Sequence, residues 1–179
     1  EPWPVRAGAS SIPLVVLGAH RKGQPLAHQL ETLGASWDGH VRTAARYRMV
    51  SLDTQPPKPG VYRSEDGAEL VAERWLLSEA ALGQFLADLP EPMLLGSVRL
   101  SDGSRAVGFA CDAVAATTGT DITRYGDWLA AVAASSAEQA VPDLEAIGER
   151  SPDQESHGTL RDALLTGFTR GMQPGTKRR

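Results

Sequence analysis

The densest run of chemically useful side chains is Gly18-Ala19-His20-Arg21-Lys22-Gly23-Gln24-Pro25-Leu26-Ala27-His28-Gln29-Leu30. Two imidazoles stand eight residues apart in it, and either can exchange a proton near neutral pH. Arg21 and Lys22 add positive charge beside the first. Pro25 suits the first position of a helix, where free N–H groups and the helix dipole favour an anion or carboxylate. Two readings follow from these residues alone. In one, the segment transfers a proton to a small anion. In the other, His20 is a solvated loop residue and His28 packs on its helix.

Positioning this segment falls to the elements around it. Pro13-Leu14-Val15-Val16-Leu17 is apolar throughout, which predicts a short strand buried on both sides and ending at Gly18. Leu26, Leu30 and Leu33 follow at helical spacing, and Gly34 is a natural stop. Val41, Thr43, Ala45, Tyr47 and Met49 alternate with Arg42, Arg46 and Arg48, which predicts one strand with a solvated arginine face. Gln55-Pro56-Pro57-Lys58-Pro59-Gly60 reads as a plain loop. A further strand is expected over 69–77, with Glu73 either facing solvent or supporting His20 or an arginine. Ser78 caps a helix carrying Leu82, Phe85, Leu86 and Leu89 on one side, and Pro90-Glu91-Pro92 ends it. Ser101-Asp102-Gly103-Ser104 joins two strands in a hairpin. Asp121 is expected to cap a helix through Tyr125, Trp128, Leu129 and Val132.

About six mostly hairpin-connected strands with two or three helices predict an α+β domain with a curled antiparallel sheet or small barrel. Its expected extent is 12–136. Residues 1–11, rich in Pro and small side chains, read as a linker. Residues 137–179 read as a polar, flexible tail with one weak amphipathic helix at Leu160, Leu164, Leu165 and Phe168.

Composition narrows the function classes. Of 179 residues, 41% are hydrophobic and 22% charged, as in an ordinary globular domain. No apolar stretch approaches the ~20 residues of a spanning helix, so no membrane partner is expected. The net charge is −4 and the basic residues are scattered apart from Lys177-Arg178-Arg179, which argues against nucleic acid. Cys111 is the single cysteine, so no internal disulfide exists, and Val107-Gly108-Phe109-Ala110 before it reads as a buried strand. The four histidines and Cys111 lack ligand spacing, and His40 and His157 have no suggestive neighbours, so neither metal nor cofactor is expected. With no leader-like segment, the expected location is the cytoplasm. A chain opening on Glu1 is expected to be a piece of a longer one.

The same residues resemble a known family. Val16-Leu17-Gly18-Ala19-His20, Gly23-Gln24-Pro25-Leu26 and Gln29-Leu30 look like the opening of the allophanate hydrolase C-terminal domain. Arg42-Thr43-Ala44-Ala45-Arg46-Tyr47-Arg48, Lys58-Pro59-Gly60, Glu73-Arg74-Trp75, Asp121-Ile122-Thr123 and Gly126-Asp127-Trp128 continue the likeness in the family's order. It covers roughly residues 12–135. The chain departs from the family at Ala45, where Pro is frequent, and at Ala72, where Gly is.

The resemblance implies the γ-glutamyl cyclotransferase-like fold, a small mixed, mostly antiparallel barrel with flanking helices. That superfamily's catalytic Glu falls just after the helix ending at Leu89, where this chain has Asp88-Leu89-Pro90-Glu91-Pro92. Cyclotransferase activity is therefore the least favoured reading. In allophanate hydrolase, an amidase domain converts allophanate to N-carboxycarbamate and the C-terminal domain removes carbon dioxide, in urea and s-triazine nitrogen metabolism. The resemblance thus implies His20 as the proton-transferring residue. The Gly18 and Ala19 amides with Gln29 would hold a carboxylate, Arg42 would supply charge, and His28 and the Tyr47 hydroxyl would line the rim. Tyr47 and Trp75 otherwise serve as core aromatics. No Gly-Gly-Ser-Ser-Gly-Gly-like stretch occurs, so the amidase machinery is not on this chain. The expected partner is an amidase, as a preceding domain or a separate subunit, and a homodimer is compatible with the sequence. The alternative is a non-catalytic module that stabilises or scaffolds an amidase.

Overall fold

A computed structural model describes residues 10–140. Most of the expected linker, and the expected tail with His157 and the Leu160–Phe168 patch, lie outside the described residues.

The apolar run near the start forms β1 (Ile12–Val16), with Leu14, Val15 and Val16 fully buried. It is the middle strand of a five-stranded sheet. Its neighbours are β5 (Val71–Leu77), antiparallel, and β7 (Arg105–Cys111), parallel, with β2 (Ser36–Arg42) and β6 (Met93–Arg99) at the edges. Both faces of β1 are covered by core, which is why it shows no polar alternation. Leu14 and Val16 enter one core with Leu30, Val50, Trp75, Phe85 and Phe109, while Val15 and Leu17 enter a second with Met49, Val61, Leu70, Val98 and Trp128. Each such side chain contributes about 1.5–3 kcal/mol by its burial.

A second sheet holds β4 (Lys58–Arg63), β3 (Tyr47–Leu52) and the short β8 (Thr120–Asp121) in that order. Isolated bridges join Thr43 to Leu100 and Tyr47 to Ala68. The result is the expected α+β architecture, with antiparallel pairing around one parallel pair.

Helices flank the sheets. α1 (Ala27–Thr32) begins at Ala27 rather than at Pro25, because residues 24–26 form a turn in which Leu26 N donates to Ala19 O at 2.8 Å. It ends in a Schellman arrangement: Gly34 takes φ +74°, its N–H donates to Glu31 O, and Ala35 N donates to Leu30 O. α2 (Glu79–Ala87) is capped as expected by Ser78, whose Oγ accepts from Ala81 N, although Leu86 points to solvent. The β6–β7 hairpin turns through Gly103 at φ +86°.

Four expectations need correction. The single strand over 41–49 is two strands in different sheets: pairing breaks at 43–46, where Arg46 N turns back to Ala44 O. Lys58, Pro59 and Gly60 open β4 instead of lying in a plain loop. Asp121 heads only a single helical turn over Thr123–Tyr125, and the helix α4 (Trp128–Ala140) is started by Asp127, whose carboxylate accepts from Leu129 N. That helix runs to Ala140. Finally, α3 (Ala113–Thr118), capped by Asp112, was not anticipated.

Candidate functional site

Where β1 runs out, the chain turns at Gly18. A β-carbon at Gly18 would collide with the Pro59 ring, so the start of β4 packs directly on this turn. Arg21 N donates back to Gly18 O at 2.9 Å, and α1 follows behind the loop. Neither the Ala19 nor the His20 amide has a hydrogen-bond acceptor among the described residues.

The loop is fixed by charge. Arg21 is buried, its Nε donating to Glu73 Oε1 at 3.3 Å and its Nη1 to Asp127 Oδ1 at 2.6 Å. Glu73, also buried, accepts from Lys22 N at 2.7 Å and from Trp37 Nε1 at 3.2 Å. Of the alternatives for Glu73, the structure shows the arginine partner. Lys22 extends over the Trp37 ring at 4.5 Å. Arg21 and Lys22 therefore secure the loop rather than charge the cavity.

With its neighbours tied down, His20 points into a cavity of about 530 Å³. The imidazole is 8% exposed, stacked on Phe109 with centroids 5.0 Å apart and edge-on to Phe85 at 5.3 Å. Its Nε2 is 2.8 Å from Gln29 Oε1. A carbonyl oxygen only accepts, so Nε2 carries the proton and Nδ1 is the basic nitrogen. Burial pushes the imidazole below its ordinary 6.5; the Gln29 bond opposes this, and the charges of Lys58 and His28 add to it. The imidazole is therefore neutral at neutral pH.

Gly18, Ala19, His20, His28 and Gln29 all line this one cavity, as the sequence suggested. His28 is exposed, its Nδ1 bonded to Pro25 O at 2.9 Å. Arg42 and Tyr47 are not brought to it. Arg42 is exposed on the edge strand β2 and pairs with Glu69 at 3.4 Å. Tyr47 is buried in the second core, where its hydroxyl accepts from Arg99 N at 2.8 Å. The break at 43–46 explains both, since it sends β2 and β3 to different sheets. The helix-terminus argument for anion binding also lapses, because α1 is six residues long and has no side-chain cap.

Sequence reasoning missed Lys58, Phe85, Asp88 and Phe109 as cavity residues. Lys58 carried a readable signal, a cation held between Pro57 and Pro59. The phenylalanines did not, because core and cavity aromatics look alike in a sequence. Glu91 is exposed and does not line the cavity. Among the described residues, no cluster of His, Cys, Asp and Glu is arranged to hold a metal, and no helix is long and apolar enough to cross a membrane.

Comparison with known proteins gives a consistent picture. The urea amidolyase of Lachancea kluyveri is 38% identical over 122 residues, covering 65% of this chain and 7% of that protein. The chain thus spans a small fraction of the curated relative it matches. The selenomethionine-substituted allophanate hydrolase of Kluyveromyces lactis superposes with a TM-score of 0.68 at 30% identity, over 74% of this chain and 22% of that one. A uropathogenic E. coli-specific protein superposes at 0.65 with 26% identity, over 69% of this chain and 97% of that one. The allophanate hydrolase C-terminal domain family matches residues 12–133, and the chain belongs to that family.

Proposed function

We propose that this domain speeds the loss of carbon dioxide from N-carboxycarbamate, with His20 as the proton-transferring residue. In the reaction the substrate nitrogen takes a proton, one C–N bond breaks with its electron pair going to nitrogen, and carbon dioxide and carbamate leave. A positioned acid lowers the barrier because nitrogen becomes a better leaving group. The carrying observation is the setting of His20: an imidazole caged by Phe85 and Phe109, held by Gln29 and open to the cavity. Burial keeps the imidazole neutral near neutral pH. A dianion beside it reverses the electrostatic balance and favours imidazolium, so the acid forms where its substrate is bound. Nδ1 then delivers the proton, while the Nε2–Gln29 bond keeps the ring's orientation. The free Ala19 and His20 amides supply donors for a carboxylate.

An amidase acting on allophanate is the proposed source of the substrate, in the setting of urea breakdown. The test generates N-carboxycarbamate in place with a separate amidase and follows carbon dioxide release with and without this protein. The expected result is acceleration by the protein and a fall of about 10²–10⁴-fold in that acceleration for His20→Ala. If folded His20→Ala matches the parent protein, His20 has no such role. If the parent protein gives no acceleration while stabilising the amidase, the domain is a scaffold.

A further inference from the structure

A dianionic substrate needs a countercharge, and among the described residues no arginine lines the cavity. Arg21 is tied to Glu73 and Asp127, Arg42 to Glu69, Arg48 to Asp121 and Arg74 to Asp38. Lys58 differs. It is half-buried, it lines the same cavity as His20, and it has no carboxylate within salt-bridge distance among the described residues. Its charge is felt at the His20 imidazole. Its backbone is also well fixed, being the first residue of β4, paired with Leu52, with Pro57 and Pro59 on either side. Pro59 packs on Gly18, which ties the lysine's position to the turn that carries His20.

Lys58 thus brings a positive charge to a cavity of mixed apolar and polar lining, where an anion would complete it. The other titratable groups lining the cavity are His28, which is exposed, and Asp88, the exposed last cap of α2, which accepts from Gln84. We propose that Lys58 is the residue that anchors one carboxylate of a dicarboxylate in this cavity, leaving the second carboxylate and the atom between them facing His20. This assignment rests on the decarboxylation reading for its natural ligand. The site itself is testable without that reaction.

Malonate is the probe. It has two carboxylates one atom apart, as N-carboxycarbamate does, but a carbon in place of the nitrogen that must take the proton. Binding is measured by calorimetry and by the ring resonances of His20 in NMR, for the parent protein, Lys58→Gln and Lys58→Arg. Acetate and malonamide serve as single-charge and uncharged controls. The expected results are saturable malonate binding that perturbs His20, much weaker binding of both controls, and at least about tenfold weaker malonate binding for Lys58→Gln. Lys58→Arg, which keeps the charge, should retain most of the affinity and shows that the loss is not a folding defect.

Equal malonate affinity in the parent and Lys58→Gln overturns the assignment, as does acetate binding as tightly as malonate. The two proposals fail separately. If malonate binding needs Lys58 but the protein does not speed carbon dioxide release, the dicarboxylate site stands and the decarboxylation reading falls. If release depends on His20 while Lys58→Gln leaves both KM and malonate affinity unchanged, the reading stands and the Lys58 assignment falls.

Discussion

Arg21 and Glu73, 52 residues apart in the chain, are buried together with Nε 3.3 Å from Oε1. The pair joins the loop carrying His20 to the strand β5 beside β1. Removing one member leaves the other charge buried, an imbalance that typically costs about 3–5 kcal/mol. Glu73→Ala is expected to lose stability on that scale in urea denaturation. Arg21 keeps Asp127 as a second partner, so the lower end is expected. A loss below about 1 kcal/mol would show that the pair has only a surface-like value.

The depressed pKa of His20 sets a pH dependence for stability. Above its ordinary value of 6.5 the imidazole is neutral both folded and unfolded, and pH has no effect through this group. As pH falls below 6.5, the unfolded chain takes up the proton first, so the folded state loses stability until pH passes the lower folded value. NMR titration of the His20 ring should give a midpoint below 6.5. Denaturation at several pH values should show a downward slope on the acid side that is reduced in His20→Gln. A ring midpoint above 6.5 contradicts the burial argument.

Gln29 selects the His20 tautomer through one hydrogen bond, whereas the hydrogen bond of the His28 ring goes to Pro25 O. Losing a hydrogen bond of ordinary strength, about 0.5–1.5 kcal/mol, corresponds to up to about tenfold in rate. Gln29→Ala is expected to slow carbon dioxide release by roughly that factor and to redistribute the proton between the two ring nitrogens of His20, visible in ¹⁵N shifts. His28→Ala is expected to change the rate less than Gln29→Ala does. A larger effect at His28 than at His20 would exchange their roles.

Gly18→Ala introduces a methyl group into the Pro59 ring. Two rigid backbones meet there, so relief requires moving the β4 start away from the β1 turn. Such overpacking typically costs about 1–3 kcal/mol, to be read by urea denaturation. Affinity for malonate should fall with it, because Lys58 moves with Pro59. Retained stability and affinity would mean that the two segments separate freely.

Arg42→Ala is expected to be nearly silent. Its ion pair with Glu69 is exposed, and exposed pairs contribute about 0–1 kcal/mol. Carbon dioxide release and melting should both stay close to the parent protein. A large rate loss would place Arg42 back at the substrate.

Local patterns made much of this fold legible. β1 is an unbroken apolar run, Ser78 caps α2, and Gly103 turns a hairpin, each decided by a few adjacent residues. The break at 43–46 left no mark, because the alternation of side chains continues through a turn that changes sheets. Thr43, fully buried, takes part in that turn by accepting from Leu70 N, a contact across 27 residues. Three prolines hid the strand that begins at Lys58. The gathering of polar side chains in the His20 loop was legible, but which cation lines the same cavity was not. Arg21, Lys22 and Arg42 look like available charges in a sequence, and only long-range pairing shows Arg21 and Arg42 matched with carboxylates and Lys22 laid over Trp37.

The parallel pairing of β1 with β7 couples the site to the order in which the chain folds. His20 extends from the first strand, and Phe109, on which it stacks, belongs to a strand near the end of the described domain. Contacts so distant in sequence form only after long loops have closed, which is slow in folding. A nascent or partly opened chain lacks the aromatic cage, so its histidine titrates as an ordinary exposed imidazole. Ligand occupancy therefore favours only the fully assembled domain, and a dicarboxylate held there draws the whole folding equilibrium toward the native state rather than stiffening one loop.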